Sequence, residues 1–191
     1  VGPAHVFVSE RDAIMAIKGQ IEPAIKPGDI LVLLGRGPLG TGMEETYQLT
    51  SALKFLKWGK EVAIVTDARF SGVSTGACIG HVGPEALADG PIGRVRDGDR
   101  IEIIVDRNEL KGSVNLIGTA DRDLTPEEAD QLLASRGRID GLAEDAALHD
   151  DTRLWAALQK VGGGTWGGCV YDVEKIVETL EAGTKALSNE S

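Results

Sequence analysis

The 191-residue sequence has only two cysteines, Cys78 and Cys169, a scarcity that excludes both a disulfide framework and a four-ligand zinc pattern. A reducing cytoplasm is the expected compartment. It also lacks any unbroken apolar run near the ~20 residues that cross a bilayer, and neither a membrane span nor a signal peptide is expected. With 42% hydrophobic and 26% charged residues, the composition is that of a soluble protein. Positive charge is in deficit, 20 Lys and Arg against 30 Asp and Glu. The formal net charge of −10 repels phosphate backbones and anionic lipid, which argues against nucleic-acid and membrane partners and leaves room only for a local basic pocket. Repeats and low-complexity tracts are absent, and the length suits one domain burying roughly 70% of its unfolded surface. The first residues, Val1-Gly2-Pro3, carry no Met and suggest an artificial or proteolytic start.

What is present reads as alternating strands and helices. Ser9 precedes Glu10, Asp12 and the spaced apolar residues Ala13, Ile14, Ala16 and Ile17, which predicts a helix with Ser9 as N-cap, ended by Gly19 and Pro23. The apolar run 30–34 (ILVLL) predicts a strand buried on both faces. After the loop GRGPLGTG, the spacing of Leu49, Ala52, Leu53 and Leu56 predicts a helix over 43–57, stopped by Gly59. A second buried strand is predicted over 61–66, and Asp67 to Gly72 leave its C-terminal end, where open α/β sheets bind ligands. From Pro91 onward short apolar runs alternate with turns, so 92–95 and 101–105 are expected as antiparallel strands. The expected fold is α/β, a mixed, barrel-like sheet flanked by helices. Thr125-Pro126-Glu127-Glu128 is a capping box opening a helix to about Ser135, and further helices are predicted over 152–160 and 172–187. The charged stretch 136–151 is the candidate linker, and Trp155 and Trp166 are expected in the core.

Gly35, Gly37 and Gly40 spell G-x-G-x-x-G between a strand and a helix, with Asp67 at the end of the next strand, a pattern that imitates a dinucleotide fold. Charge opposes that reading. Glu44 and Glu45, placed by this prediction in the first helical turn, would repel a pyrophosphate at the positive end of the helix. The same carboxylates suit a hard cation such as magnesium, or simply complement the helix dipole.

The segment TDARFSGVSTGACIGHVGPEA gathers Asp67, Arg69, Ser71, Ser74, Thr75 and His81 at a strand end. A serine needs an activator to act as nucleophile or base, and His81 is the candidate on a triad reading. Yet the G-x-S-x-G elbow is missing, because Arg69 stands where its first glycine belongs. A nearby cation is the other route to an alkoxide. Cys78 and His81 make C-x-x-H without further metal partners, Asp67 and Arg69 suit a capping role, and Pro84-Glu85 suits the start of a short helix.

The segments GPLGTGMEE and TDARFSGVSTGACIGHVGPEALADGPIG, followed by DGDRIEI, resemble the C-terminal domain of the dihydroxy-acid dehydratase and 6-phosphogluconate dehydratase family over about residues 2–116. Ala68, where amino-acid-biosynthetic members usually have glycine, and the tail DDTRLWAALQKVGGGTWGGCVYD look more like its D-xylonate dehydratase branch. The resemblance implies that 1–191 is a C-terminal domain of swivelling β/β/α type, with a core over 2–116 and a helical extension over 125–188, docking on a cluster-binding N-terminal domain absent here. It implies a homo-oligomer that dehydrates a sugar acid, such as D-xylonate, to a 2-keto-3-deoxy acid with magnesium and an iron-sulfur cluster. A branched-chain dihydroxy acid is the alternative substrate. The family's base falls on Ser71 and a magnesium ligand on Glu45, with Gly42, Asp67, Arg69, Gly72, Thr75 and His81 as loop or supporting residues. Cluster cysteines, and the aspartate and modified lysine completing the magnesium site, belong to the N-terminal domain, so Cys78 and Cys169 receive no cluster role. A non-catalytic binding or assembly module is the rival from another class.

Overall fold

The computed structural model describes residues 1–189. In chain order its elements are β1 (Gly2–Phe7), α1 (Glu10–Ile17), β2 (Ile30–Leu33), α2 (Pro38–Thr41), β3 (Glu45–Thr46) and α3 (Gln48–Lys54). Then come β4 (Ala63–Thr66), β5 (Arg69–Phe70), β6 (Ala77–Ile79), β7 (Arg100–Asp106) and β8 (Lys111–Gly118), followed by α4 (Pro126–Ser135), α5 (Asp150–Val161) and α6 (Val173–Asn189). Six strands form one curled sheet in the order β6-β4-β2-β1-β7-β8, a half-barrel flanked by helices. β1, β2, β4 and β6 run parallel, and β7 and β8 add an antiparallel hairpin beside β1. The expected mixed α/β sheet is the observed one.

Burial on both faces explains why β2 reads as an unbroken apolar run. Leu31 and Leu33 point to one side, against Ala13, Ala16 and Ile17 of α1 and Leu49 and Leu53 of α3. Ile30, Val32 and Leu34 point to the other, against Val65, Ala86, Ile92, Val95 and Ile101. Each Leu, Ile or Val among them contributes about 1.5–3 kcal/mol when fully buried. Ser9 caps α1 by accepting from the Asp12 N–H, and Thr125 and Glu128 complete the reciprocal capping box of α4.

Four expectations are corrected. The helix predicted over 43–57 contracts to Gln48–Lys54, because Met43 adopts a φ of 69° and Glu45–Thr46 leaves the helical path to pair with β5. Residues 92–95 do not form a strand: Pro91–Arg94 is a 3₁₀ turn, suited to its proline and to Gly93, whose Cβ would lie 3.1 Å from Ala86. Trp166 is 63% exposed and held by its Nε1–H donating to the Ala88 carbonyl (2.6 Å), while Trp155 is half-buried. The charged stretch 136–151 is strapped to the domain. Arg136 makes a two-pronged contact with buried Asp99 (2.5 and 3.0 Å), and the Asp145 N–H donates to the Gly40 carbonyl (2.8 Å).

Candidate functional site

Parallel β2, β4 and β6 deliver their C-terminal ends to one edge of the sheet. The glycine-rich loop after β2 is closed from within. Asp67, at the end of β4, accepts from the backbone N–H groups of Gly35 (3.1 Å), Arg36 (2.9 Å) and Ala86 (3.1 Å). The Glu85 carboxylate accepts from the Leu39 N–H (3.0 and 3.1 Å) in the first turn of α2. A Cβ on Gly37 would lie 2.5 Å from Glu85 Oε2, and one on Gly40 would lie 1.9 Å from the Gly35 carbonyl oxygen. Those glycines allow backbone and carboxylate to approach, and the space where a phosphate would sit holds a glutamate.

This geometry removes the dinucleotide reading for a reason other than the predicted one. Glu44 and Glu45 are not in a helical turn; the carboxyl group at the loop is that of Glu85, and both Asp67 oxygens already serve the backbone. Burial pushes the Asp67 carboxyl above its usual range against the pull of its N–H donors. Burial also pushes Glu85 up to about 7, opposed by the Leu39 N–H and reinforced by the neighbouring Asp67 charge.

Glu45 and Ser71 are brought together by a two-stranded ladder. β3 pairs in parallel with β5, placing Glu45 opposite Arg69 and Thr46 opposite Phe70, and Ser71 follows directly. Arg69 Nη1 donates to Glu45 Oε2 (2.6 Å) and its Nε to the Met43 carbonyl (3.1 Å), while Thr46 Oγ1 donates to the Arg69 carbonyl (3.1 Å). Glu44 is matched similarly by Arg36 (2.8 Å). Glu45, Tyr47, Thr50, Ser51, Lys54, Ser71, Val73 and Thr75 line one cavity of about 240 Å³.

The Ser71 loop is tethered to α3 by hydroxyls. Thr50 Oγ1 gives its single proton to the Tyr47 carbonyl (3.0 Å), so in its 3.2 Å contact with Ser74 the serine is the donor. The Ser74 N–H in turn donates to the Ser71 carbonyl (3.0 Å). The Ser71 hydroxyl accepts a long bond from the Val73 N–H (3.4 Å) and lines the cavity with no other hydrogen-bond partner among the described residues.

The other singled-out residues separate into groups. Thr75 shares the cavity, Arg69 orients Glu45, and Asp67 lies buried beneath the neighbouring loop. Gly42 has a φ of 70° and meets α5, since a Cβ there would lie 2.2 Å from Thr152 Cγ2. Gly72 faces open space. His81 is exposed, has a φ of 56° and does not line the cavity with Ser71, so no Ser-His pair is assembled. Cys78 and Cys169 are free thiols, each pushed up by burial. Among the described residues no three His, Cys, Asp or Glu side chains converge on a metal position. Thr50 and Lys54 carry no signal in the sequence, and Glu85, expected at the start of a short helix, does precede the 3₁₀ turn Ala86–Ala88 but also reaches α2 across 46 positions, a link without local signature.

The model of the dihydroxy-acid/6-phosphogluconate dehydratase C-terminal family matches residues 1–149. The chain belongs to that family. It is 64% identical over 186 residues to D-xylonate dehydratase YagF of Escherichia coli, covering 97% of this chain and 28% of that protein. It is 61% identical over 181 residues to D-xylonate dehydratase YjhG of the same organism, covering 94% and 27%. Dihydroxy-acid dehydratase of Dinoroseobacter shibae is 37% identical over 171 residues, covering 89% and 26%. The chain therefore spans little more than a quarter of the length of these dehydratases.

Proposed function

We propose that this chain is the domain of a sugar-acid dehydratase that supplies the proton-abstracting base, Ser71, and one carboxylate of a magnesium site, Glu45. The observation that carries the proposal is their convergence on one cavity, fixed by the β3–β5 ladder. Ser71, as its alkoxide, takes the C2 proton of a 2,3-dihydroxy acid. The C3 hydroxyl departs as hydroxide and takes the proton back from the Ser71 hydroxyl to form water, which regenerates the alkoxide, and the resulting enol tautomerises to the 2-keto-3-deoxy acid. General-base catalysis of this kind contributes about 10²- to 10⁴-fold.

Glu45 fits a hard divalent cation as one oxygen ligand, since its carboxylate is half-buried, lines the cavity and already engages a cationic partner. Bound there, magnesium would neutralise charge developing on the substrate oxygens and favour the Ser71 alkoxide. The remaining ligands belong to a domain beyond this chain. The chain's own cysteines do not fit an iron-sulfur cluster: burial favours their thiol forms, Cys78 Sγ donates to the Thr75 carbonyl (3.5 Å), and two sulfurs fall short of a ligand set. A cluster acting as Lewis acid on the C3 hydroxyl is assigned to the N-terminal domain.

Identities of 64% and 61% to D-xylonate dehydratases, against 37% to a dihydroxy-acid dehydratase, support an aldonate such as D-xylonate over a branched-chain acid. Docking on an N-terminal domain, and assembly as a homo-oligomer, suit α6, which buries none of its own residues and exposes Val173, Val177 and Leu180. Two free thiols suit a reducing cytoplasm, and no helix among the described residues is long and apolar enough to cross a membrane. The test is Ser71→Ala in the full-length protein assayed with D-xylonate. Turnover lost with the fold preserved supports the assignment, and near-normal turnover overturns Ser71 as the base.

A further inference from the structure

Beside the Ser71 cavity lies a second one, of about 440 Å³, lined by Leu53, Lys54, Leu56, Lys57, Gly59, Lys60 and Thr75. Lys54 and Thr75 line both. Three lysines thus converge on one concavity in a chain whose net charge is −10. All three are exposed, and none makes an ion pair among the described residues. The arginines next to the site behave differently, because Arg36 and Arg69 are matched to Glu44 and Glu45. Glu61 follows Lys60 in the same turn and lines neither cavity. Inside the Ser71 cavity the one carboxylate, Glu45, is neutralised by Arg69, so Lys54 is its uncompensated charge.

We infer that Lys54, Lys57 and Lys60 form an anion subsite that recruits the substrate's carboxylate and passes it to the Ser71 cavity at Lys54. The inference rests on the proposed dehydration of a sugar acid. A chain with an excess of acidic residues repels such a substrate over most of its surface. A concave cluster of cations reverses the local field, and steering of this kind raises association rates by roughly 10- to 10³-fold at low salt. Local helix chemistry does not account for the whole cluster. Lys54, last residue of α3, complements the negative end of that helix, but Lys57 and Lys60 lie beyond it.

The test uses the full-length enzyme with D-xylonate, measuring kcat and KM from about 0.02 to 0.3 M salt, a range that shortens the screening length from roughly 20 to 6 Å. For Lys57→Gln/Lys60→Gln the expected result is a KM raised about three- to tenfold at low salt, a flattened salt dependence of kcat/KM, and kcat within about twofold. Adding Lys54→Gln raises KM further, and Lys54→Arg in its place restores it. A purely helix-capping role for Lys54 would move the unfolding midpoint and leave KM unchanged. Wild-type KM and salt slope in the triple variant, in an enzyme that Ser71→Ala inactivates, overturn the subsite alone. Should Ser71→Ala retain turnover, the base assignment fails instead. Calorimetric titration of D-xylonate into wild type and triple variant then decides the subsite: a loss of about tenfold in affinity supports it and equal affinity overturns it.

Discussion

The loops leaving β2 and β4 lie side by side at one sheet edge and are both rich in glycine, yet their glycines answer to different physics. In the first, Gly35, Gly37 and Gly40 are buried, and a Cβ on each would meet another atom at 2.8, 2.5 and 1.9 Å. In the second, Gly72 faces open space, and a Cβ on Gly76 would meet only the Val62 carbonyl oxygen at 4.0 Å. The first loop is a packed support, its N–H groups held by Asp67 and Glu85. The second presents Ser71 to a cavity and leans on its surroundings through hydroxyls. Glycine there gives conformational reach, with a φ of 99° at Gly76, rather than close packing.

Substitutions should separate the two loops sharply. Ser71→Ala in the full-length protein is expected to lower kcat about 10²- to 10⁴-fold with an unchanged thermal midpoint, measured by steady-state kinetics and calorimetry. Gly40→Ala is expected to act through the fold, destabilising by about 3 kcal/mol in urea unfolding because its Cβ would strike the Gly35 backbone, whereas Gly72→Ala stays within about 0.5 kcal/mol.

The support loop should also be the pH-sensitive one. Because burial raises Glu85 to about 7, the folded state holds its proton more tightly than the unfolded state does. That contribution is complete below the ordinary value of 4.5 and is lost as pH rises through about 7. Urea titrations from pH 4.5 to 7.5 should show a fall of up to about 3 kcal/mol from this group, flattened in Glu85→Gln. A smaller loss is expected from Thr50→Val, which leaves the Ser74 hydroxyl without its acceptor. It should cost about 1 kcal/mol and lower kcat more than it raises KM, with Thr50→Ser restoring both.

The parts legible in sequence were those with a local signal. The run ILVLL, the Thr125 capping box and the Ser9 cap each encode their own element, and the two segments that carried the family resemblance hold Glu45 and Ser71. What escaped depends on partners far along the chain. β1 begins with Gly2 and Pro3, poor strand formers, and is held by β2 and β7; a Cβ on Gly2 would lie 2.0 Å from the Gly28 carbonyl oxygen. The helical spacing of Leu49, Ala52, Leu53 and Leu56 was real, but its start was misplaced because Glu45–Thr46 finds its partner in Arg69–Phe70. Glu85 had no periodicity to betray it, and its role depends on a helix turn 46 positions earlier.

The family match ends at residue 149, but the contacts around the support loop do not. Thr152 fills the space beside Gly42, Thr165 Oγ1 accepts the N–H of Glu85 (3.0 Å), and Trp166 holds the Ala88 carbonyl. The segment past the family match, which the D-xylonate dehydratase relatives also span, therefore packs against the support loop. A substitution at Thr152, Thr165 or Trp166 thus reaches the support loop through packing alone, without altering a residue of the loop itself.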